Sequence, residues 1–292
     1  MRYSVVLFII LHLFIVGCSG IRNQETGENE YILAKDDLGR TVPIRIQNQR
    51  IVSLTPSITE LLFAFTDTTH IVGRSFFCNY PEQAQLKPAV NNYPVDIEAI
   101  VRLNPDLVLV KKGMIPMADL EKLRKLTIPV FVQKYDRLSE IVHSVRTLVY
   151  ITNGDSIKME LWLHNLLDKP ENPLKTSQSF IAFASSVPIY VFGQHTFVSE
   201  LAELIGGKNA IDSTFQASYP MIDVEYILRT NPDKLIFTSD MAQQSFFKSY
   251  PVLKNLSAYK KHQLYLIDAD VLSRPGSRLP VLKDSIINIF SR

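Results

Sequence analysis

Cysteine is scarce in this chain of 292 residues, which contains only Cys18 and Cys78. If Cys18 is used for lipid attachment, as argued below, no intrachain disulfide can form, and the fold must be held by packing alone. We interpret Cys78 as a half-buried small apolar residue and not as a reactive or metal-binding thiol.

The chain also lacks a charge excess of either sign. Lys and Arg total 31 and Asp and Glu total 29, for a formal net charge of +2. The sequence has no cluster of basic residues that could bind nucleic acid, so we expect no nucleic-acid partner. With 46% hydrophobic residues, the chain has enough apolar material for two modest domains.

Motifs for catalysis are missing as well. The sequence contains no G-x-S-x-G, no HExxH and no glycine-rich phosphate loop, so we expect no enzyme and no cofactor. One of the six histidines, His12, lies in the apolar segment at the start. The other five show no metal-ligand spacing, which argues against a zinc or manganese receptor: His70, His143, His164, His195 and His262.

The one pronounced apolar run covers residues 5–16, follows Arg2 and ends at Gly17 and Cys18. It is too short to span a bilayer and reads as a signal peptide, residues 1–17. The Ile-Val-Gly-Cys step resembles a bacterial lipobox, which implies a lipid-modified Cys18 anchored to a membrane outside the cytoplasm. An ordinary cleaved signal with an incidental Cys is the alternative. The polar residues 18–30 predict a flexible tether.

Local patterns predict the first elements of the fold. Residues 31–46 alternate around an Asp-Leu-Gly-Arg turn and predict a β-hairpin, and residues 51–54 predict a buried strand. A helix should follow and run to about Phe65, with Ser57 and Glu60 as a capping box.

An internal repeat is the most informative feature. Residues 96–106 and 223–233 are identical at seven positions, including an Asp at the start and Asn-Pro-Asp at the end. Each copy predicts an Asp-capped short helix, ended by the Asn-Pro step and followed by an apolar strand. Two such units predict an α/β protein with two similar lobes.

The segment between the copies predicts the connection. Residues 138–151 and 155–167 have helical periodicity, and residues 179–184 predict the first strand of the second lobe. We therefore assign residues 31–154 to an N-terminal lobe, 155–170 to a rigid interdomain helix and 171–292 to a C-terminal lobe, with a ligand cleft of limited hinge motion between the lobes.

At these residues the chain resembles the helical-backbone periplasmic binding proteins, which deliver vitamin B12, ferric siderophores and haem to ABC importers. The resemblance covers residue 31 to the end and rests on residues 50–60, 72–73, 79–81 and 274–278 and on both repeats. The segments at 79–81 and 274–278 are most similar to cobalamin-binding members. A ferric-siderophore or haem carrier, or a surface lipoprotein without a transport role, remains the alternative.

The resemblance also implies site residues. Phe77, Tyr93 and Tyr219 match positions at which aromatic rings hold a corrin, and we expect Tyr93 and Tyr219 to face each other across the cleft. Tyr80 and Phe183 lie in segments expected to line the cleft, although Phe183 could equally be core packing. The full set of candidate ligand-binding residues is Phe77, Tyr80, Tyr93, Phe183, Tyr219 and Arg274, with Arg278 structural.

Two further expectations come from the same resemblance. Glu98 and Glu225 occupy equivalent places in the two repeats, and at these positions family members carry Glu residues that pair with arginines of a permease dimer. The alternative is that each carboxylate only stabilises its own helix through the helix dipole. His195 is a weaker candidate for binding a metal carried by the ligand. The expected partners are thus a corrinoid or other metal chelate, an ABC permease with its ATPase, and a membrane.

Overall fold

The computed structural model describes residues 31–169 and 178–291. The expected lipidation site Cys18, the signal segment and the tether lie outside the described residues. No helix within the two described ranges is both long enough and apolar enough to cross a membrane.

The N-terminal lobe (N-lobe) begins with an antiparallel hairpin, β1 (Tyr31–Lys35) and β2 (Thr41–Arg45), as predicted. Its main sheet is parallel and has the order β5-β4-β3-β6-β7. The strands are β3 (Ile51–Ser53), β4 (Ile71–Ser75), β5 (Ala89–Val90), β6 (Leu107–Lys111) and β7 (Val130–Gln133). The helices are α1 (Pro56–Phe65), α2 (Ile97–Arg102) and α3 (Met117–Lys125).

Two longer helices follow, α4 (Leu138–Ile151) and α5 (Ser156–Leu167), at the positions that the periodicity predicts. Asp155 caps α5 by accepting the Lys158 backbone N–H at 2.9 Å, which explains the clean break between the two helices.

The C-terminal lobe (C-lobe) has a parallel sheet of order β10-β8-β11-β12, with a short strand β9 antiparallel to β8. The strands are β8 (Ser179–Ser185), β9 (Tyr190–Val191), β10 (Lys208–Asn209), β11 (Lys234–Phe237) and β12 (Leu264–Leu266). The helices are α6 (Phe197–Leu204), α7 (Val224–Thr230), α8 (Asp240–Ser249), α9 (Ser257–Lys260), α10 (Ala269–Ser273) and α11 (Leu279–Phe290).

The sequence repeat is a structural repeat. Asp96 caps α2 by accepting the Ala99 N–H at 2.8 Å, and Asp223 caps α7 by accepting the Tyr226 N–H at 2.7 Å. An Asn in the left-handed region follows each helix, with φ of 45° at Asn104 and 42° at Asn231. Asparagine tolerates this conformation, and the proline that follows prevents further helix.

The last residue of each repeat fastens it to the first strand of its own lobe. Asp106 accepts the Arg50 backbone N–H at 3.0 Å, directly before β3. Asp233 accepts the Ser179 backbone N–H at 2.8 Å, at the start of β8. The repeat therefore sets the same register in both lobes, and the prediction of two similar α/β lobes is confirmed.

One continuous hydrophobic core joins the lobes. It includes Ile51 and Leu107 from the N-lobe sheet and Phe180 and Ile236 from the C-lobe sheet. Helix α5 packs against α1, α4 and α11, while α4 also contacts α6. The connection is thus a packed group of helices around α5, which supports the expectation of limited hinge motion; the domain limits stay predictions.

Two local predictions are wrong. Ser57 and Glu60 form no capping box, because Glu60 is engaged by Arg278 of the other lobe and no side chain caps α1 at Thr55. The hydroxyl of Thr55 instead accepts the Lys111 N–H at 2.9 Å. Cys78 is fully buried and not half-buried, with its sulfur 3.0 Å from the Thr59 hydroxyl.

Candidate ligand-binding cleft

The carboxyl ends of the strands of both sheets border one cleft. The backbone carbonyl of Asp136, which follows β7, accepts the Phe197 backbone N–H from the C-lobe at 2.7 Å. Asn79, which follows β4, donates its side-chain amide to Asp270, just after β12, at 2.9 Å. Each sheet also reverses its strand order beside its first strand, at β3/β6 and at β8/β11. Such switch points are where doubly wound sheets bind ligands.

Exposed aromatic rings mark the N-lobe side of the cleft. Phe76 and Phe77 directly follow β4 and pack edge to face, with ring centroids 5.8 Å apart. Phe77 is 58% exposed and Tyr93, after β5, is 80% exposed. Both rings are therefore accessible from solvent at strand ends, and their role in ligand binding stays a prediction.

On the C-lobe side, the segment around Tyr219 runs beside β9. The N–H groups of Val191 and Gly193 donate to the carbonyls of Pro220 and Ser218 at 3.1 and 2.8 Å. The Tyr219 ring is half-buried and packs on Phe192, with centroids 5.3 Å apart. Burial, with a smaller contribution from the Asp136 carboxylate, raises the pKa of Tyr219 to about 12. Tyr219 is therefore a neutral phenol near pH 7, and its contact with a ligand stays a prediction.

Tyr93 belongs to the N-lobe and Tyr219 to the C-lobe. Tyr93 follows Asn92, whose side-chain amide donates to the Leu54 carbonyl, directly after β3, at 3.2 Å. Tyr219 lies near Asp136, which follows β7. That the two rings face each other across the cleft stays a prediction.

Phe183 is not a cleft residue. It is 1% exposed, and its ring stacks on Phe237 at 4.6 Å and contacts Phe246 at 4.7 Å within the C-lobe core. The ligand-binding prediction for Phe183 is wrong, because its β8 position points into the aromatic core. His195 is half-buried in the turn before α6, and residues 31–169 and 178–291 contain no cluster of potential metal ligands.

Arg274 lies between the lobes but is already engaged. Its guanidinium donates to the Asn79 side-chain oxygen at 2.5 Å and pairs with Asp270 at 2.7 Å. Because Asp270 also accepts from Asn79, the three residues form a closed polar triangle across the lobes. Arg274 thus fastens the lobes in this structure, and its contact with a ligand stays a prediction.

A second polar contact across the lobes is buried. Arg278, at the start of α11, donates to both carboxylate oxygens of Glu60 in α1, at 2.7 and 3.2 Å. The Arg278 guanidinium also stacks over the Tyr80 ring, 4.4 Å from its centroid. The structural role predicted for Arg278 agrees with this contact. Tyr80 is 41% exposed, and its contact with a ligand stays a prediction.

An open depression of about 430 Å³ lies at the ends of β8 and β11. Ser185, Ser186, Thr238 and Ser239 are among the residues that line it. Ser185 and Ser186 belong to the segment from Phe183 onward that the family resemblance implies should line the cleft.

Glu98 and Glu225 both lie on the surface, in the first turns of α2 and α7. The Glu98 side chain is 92% exposed, and its ion pair with Arg102 is long, at 3.9 Å. An exposed pair of this length contributes little to stability. Both carboxylates are therefore free to meet a partner.

Comparison with known proteins agrees with this architecture. A family model described as "Periplasmic binding protein" matches residues 51–271, which include both repeats and both sheets. The chain belongs to the periplasmic binding protein family. The membership supports the expectation of a transport protein outside the cytoplasm; the lack of any catalytic activity stays a prediction.

Curated relatives of this periplasmic binding protein include a vitamin B12-binding protein of Vibrio cholerae. It is 28% identical over 237 residues, covering 79% of this chain and 84% of the relative. An uncharacterized ABC transporter substrate-binding lipoprotein of Bacillus subtilis, YvrC, is 25% identical over 293 residues, with coverage of 93% and 91%.

Solved structures show the same fold. The vitamin B12-binding protein BtuF of Vibrio cholerae superimposes with a TM-score of 0.71 at 25% identity, covering 83% of this chain and 96% of that one. The haem-binding protein BhuT, solved with two haems, gives a TM-score of 0.68 at 17% identity, with coverage of 83% and 98%. At that identity the second likeness concerns the fold alone.

Proposed function

We propose that this chain is the substrate-binding protein of an ABC importer, and that it captures cobalamin or a related corrinoid between its lobes. The observation that carries the proposal is the pair of exposed rings, Phe77 and Tyr93, at strand ends that border the interlobe cleft. A corrin is broad and flat, so it gains apolar contact area from rings that lose little rotamer entropy on binding. The relatives named vitamin B12-binding support the choice of ligand.

Titration calorimetry of the purified chain with cyanocobalamin and with cobinamide tests the ligand. The proposal expects one-to-one binding of both, because the rings contact the corrin that the two molecules share. Haem and a ferric siderophore are the competing ligands and are titrated in parallel. If only one of these binds, the corrinoid assignment fails and the transport class survives. If none of the four binds, a surface lipoprotein without a transport role is favoured.

Docking onto the permease uses Glu98 and Glu225 in this proposal. Equivalent positions in the two repeats give each lobe one exposed carboxylate, an arrangement that suits a dimeric permease. Charge pairs across an interface set docking rate and register, with couplings of about 1.5–7 kcal/mol when they are close.

Charge reversal tests the docking role. Glu98→Arg and Glu225→Arg are expected to leave ligand affinity unchanged while uptake through the cognate importer falls sharply, and the double variant is expected to abolish uptake. Glu160→Arg is the matched control, since Glu160 is an exposed carboxylate of α5 that pairs with Arg146. Normal uptake by the double variant would show that these residues serve their helices only.

The membrane anchor in this proposal is lipid on Cys18. Support comes from the apolar run that ends at Gly17 and Cys18 and from the relative named a lipoprotein. Cys18→Ser is expected to give unprocessed or released protein with unchanged ligand affinity, because the polar residues 19–30 separate Cys18 from β1. Detergent phase partitioning measures this, and wild-type protein found entirely in the aqueous phase would contradict the anchor.

A further inference from the structure

The hairpin of β1 and β2 departs from the usual pattern of a sheet with one solvated face. Its inner face carries Ala34, Val42 and Ile44, which are buried in the core that joins the lobes. Such a hairpin normally presents polar side chains on its other face. Here the outer face also carries large apolar side chains, with Tyr31 56% exposed and Leu33 74% exposed.

The exposed apolar side chains form one patch. The strand register places Leu33 directly opposite Pro43, which is also exposed, and Tyr31 is the neighbour of Leu33 on the same face of β1. Residues at i and i+2 of a strand share a face, and directly opposite side chains lie about 5 Å apart. Contiguous exposed patches mark surfaces for a protein or membrane partner.

The other residues of this outer face favour an anionic partner. They are Lys35, Thr41 and Arg45, and neither β1 nor β2 contains an Asp or a Glu. The carboxylate paired with Arg45 is that of Asp106, at a long 3.8 Å. We call the six residues the hairpin face: Tyr31, Leu33, Lys35, Thr41, Pro43 and Arg45.

The acidic residues of the hairpin turn point away from this face. Asp36 pairs with Arg40 at 2.6 Å, and its side chain is fully buried. Asp37 accepts the Lys134 backbone N–H, directly after β7, at 2.7 Å. Both carboxylates are thus directed toward the edge of the N-lobe sheet, and the outer face keeps its positive charge.

The proposed lipid anchor lies close to the hairpin face along the chain. Residues 19–30 connect Cys18 to Tyr31. A flexible chain of that length has an r.m.s. end-to-end distance of roughly 20 Å. Lipid on Cys18 would therefore present the hairpin face to the bilayer at an effective concentration in the millimolar range. At that concentration, a contact too weak to bind free protein is still populated.

We propose that the hairpin face lies against a bilayer that contains anionic phospholipid and holds the undocked protein on the membrane beside its anchor. The inference rests on the lipid anchor of the proposed function. Tyr31, Leu33 and Pro43 enter the boundary between headgroups and acyl chains, while Lys35 and Arg45 meet the lipid phosphates.

The experiment couples the mature chain, which begins at Cys18, through that thiol to a maleimide lipid in vesicles of phosphatidylglycerol and phosphatidylcholine. Cys78 is buried and does not compete for the maleimide. Leu33→Trp introduces a fluorescent reporter, which brominated phosphatidylcholine quenches on contact. The signal of the natural Trp162, measured in the parent protein, is subtracted.

Leu86→Trp is the matched control. Leu86 is 84% exposed and lies just before β5, whereas the hairpin covers β7 at the opposite edge of the N-lobe sheet. Quenching at residue 33 is expected to be at least about twofold stronger than at residue 86, because an effective concentration near the Kd keeps about half of the molecules in contact.

Two changes should remove this difference. Tyr31→Ser with Lys35→Glu, added to Leu33→Trp, takes away the ring and reverses one charge, and is expected to reduce quenching at residue 33 about twofold. Vesicles of phosphatidylcholine alone are expected to weaken it in the unaltered face, because Lys35 and Arg45 then lose their anionic partner. Thermal unfolding confirms that each variant is folded.

Equal quenching at residues 33 and 86 would overturn the inference and leave the hairpin face to a protein partner. Quenching at residue 33 that Tyr31→Ser with Lys35→Glu does not alter would overturn it as well, since tethering alone would then account for the contact. The coupling is chemical, so the result does not depend on lipid attachment in the cell, which detergent partitioning of the wild-type protein tests separately.

Discussion

The two lobes are built on the same unit but present different surfaces to the cleft. In both, an Asp-capped helix is followed by a left-handed Asn, and a second Asp accepts a backbone N–H at the start of the first strand. The N-lobe closes its switch point with internal hydrogen bonds and exposes Phe77 and Tyr93. The C-lobe has an open depression at its switch point, lined in part by Ser and Thr side chains. A duplicated scaffold can therefore keep its framework while the loops at its strand ends diverge in chemistry.

Removing the ion pair that joins the lobes should have the largest effect. Arg278→Ala leaves the buried Glu60 carboxylate without its partner, and breaking a buried pair on one side typically costs about 3–5 kcal/mol. Urea unfolding should show a loss of about 3 kcal/mol. Arg146→Ala, which breaks the exposed pair with Glu160, is the control and should cost less than about 1 kcal/mol. Equal losses of unfolding free energy in the two variants would contradict a special role for the Glu60–Arg278 pair.

The same ion pair predicts a pH dependence. Burial raises the pKa of the Glu60 carboxyl above its ordinary value, although the Arg278 hydrogen bond opposes the rise. A raised pKa in the folded state means that the folded protein holds this proton more tightly than the unfolded chain. The contribution of Glu60 to stability is then greatest below its unfolded pKa and falls as pH rises through the folded value.

Without Arg278 the rise in the Glu60 pKa should be larger. The stability deficit of Arg278→Ala is therefore expected to widen between pH 5 and pH 7 in urea unfolding. A deficit that shrinks over this range would show that Glu60 is not the group left unpaired.

Asp106 and Asp233, the last residues of the two repeats, provide a test of whether the lobes are equivalent. Asp106→Ala and Asp233→Ala each remove a charged acceptor from the backbone N–H at the start of a first strand. Hydrogen bonds to charged groups contribute about 1.5–3 kcal/mol, so each change should cost about 2 kcal/mol. Chemical unfolding measures both, and a large cost in one lobe with none in the other would break the comparison.

The helix caps should give the smallest matched pair of effects. Asp96→Ala and Asp223→Ala each remove a capping carboxylate from a short helix, at a typical cost of about 1 kcal/mol. Thermal unfolding should show similar decreases in Tm for the two variants. Asp67→Ala, at the start of a single helical turn, is a useful control for exposed caps.

Much of the framework could be predicted because it depends on local signals. The Asp caps, the Asn-Pro steps and the 3.6-residue periodicity of α4 are each visible in neighbouring residues, and the repeat shows the first two signals twice. The Ser57–Glu60 capping box failed for the opposite reason. Glu60 instead accepts a hydrogen bond from Arg278, which lies 218 residues further along the chain. No local sequence pattern predicts that contact.

The site was only partly predictable. Phe77 and Tyr93 were singled out by the family resemblance, and the structure places both, exposed, after strand ends. Phe183 shows the limit, because the alternation within β8 decides whether a ring points to the core or to the cleft, and an apolar run hides that alternation. The depression at the ends of β8 and β11 depends on these strands meeting side by side, which the order of the sequence does not reveal.

The most direct test of the account is the affinity for cyanocobalamin when the N-lobe loses its exposed rings. Phe77→Ala with Tyr93→Ala is compared by calorimetry with Tyr31→Ala plus Tyr150→Ala, which removes two exposed rings away from the strand ends of the cleft. The account predicts a Kd raised about tenfold or more, equal to at least about 1.4 kcal/mol, in the first variant and an unchanged Kd in the second. Tight binding of cyanocobalamin that is equally strong in both variants would contradict it.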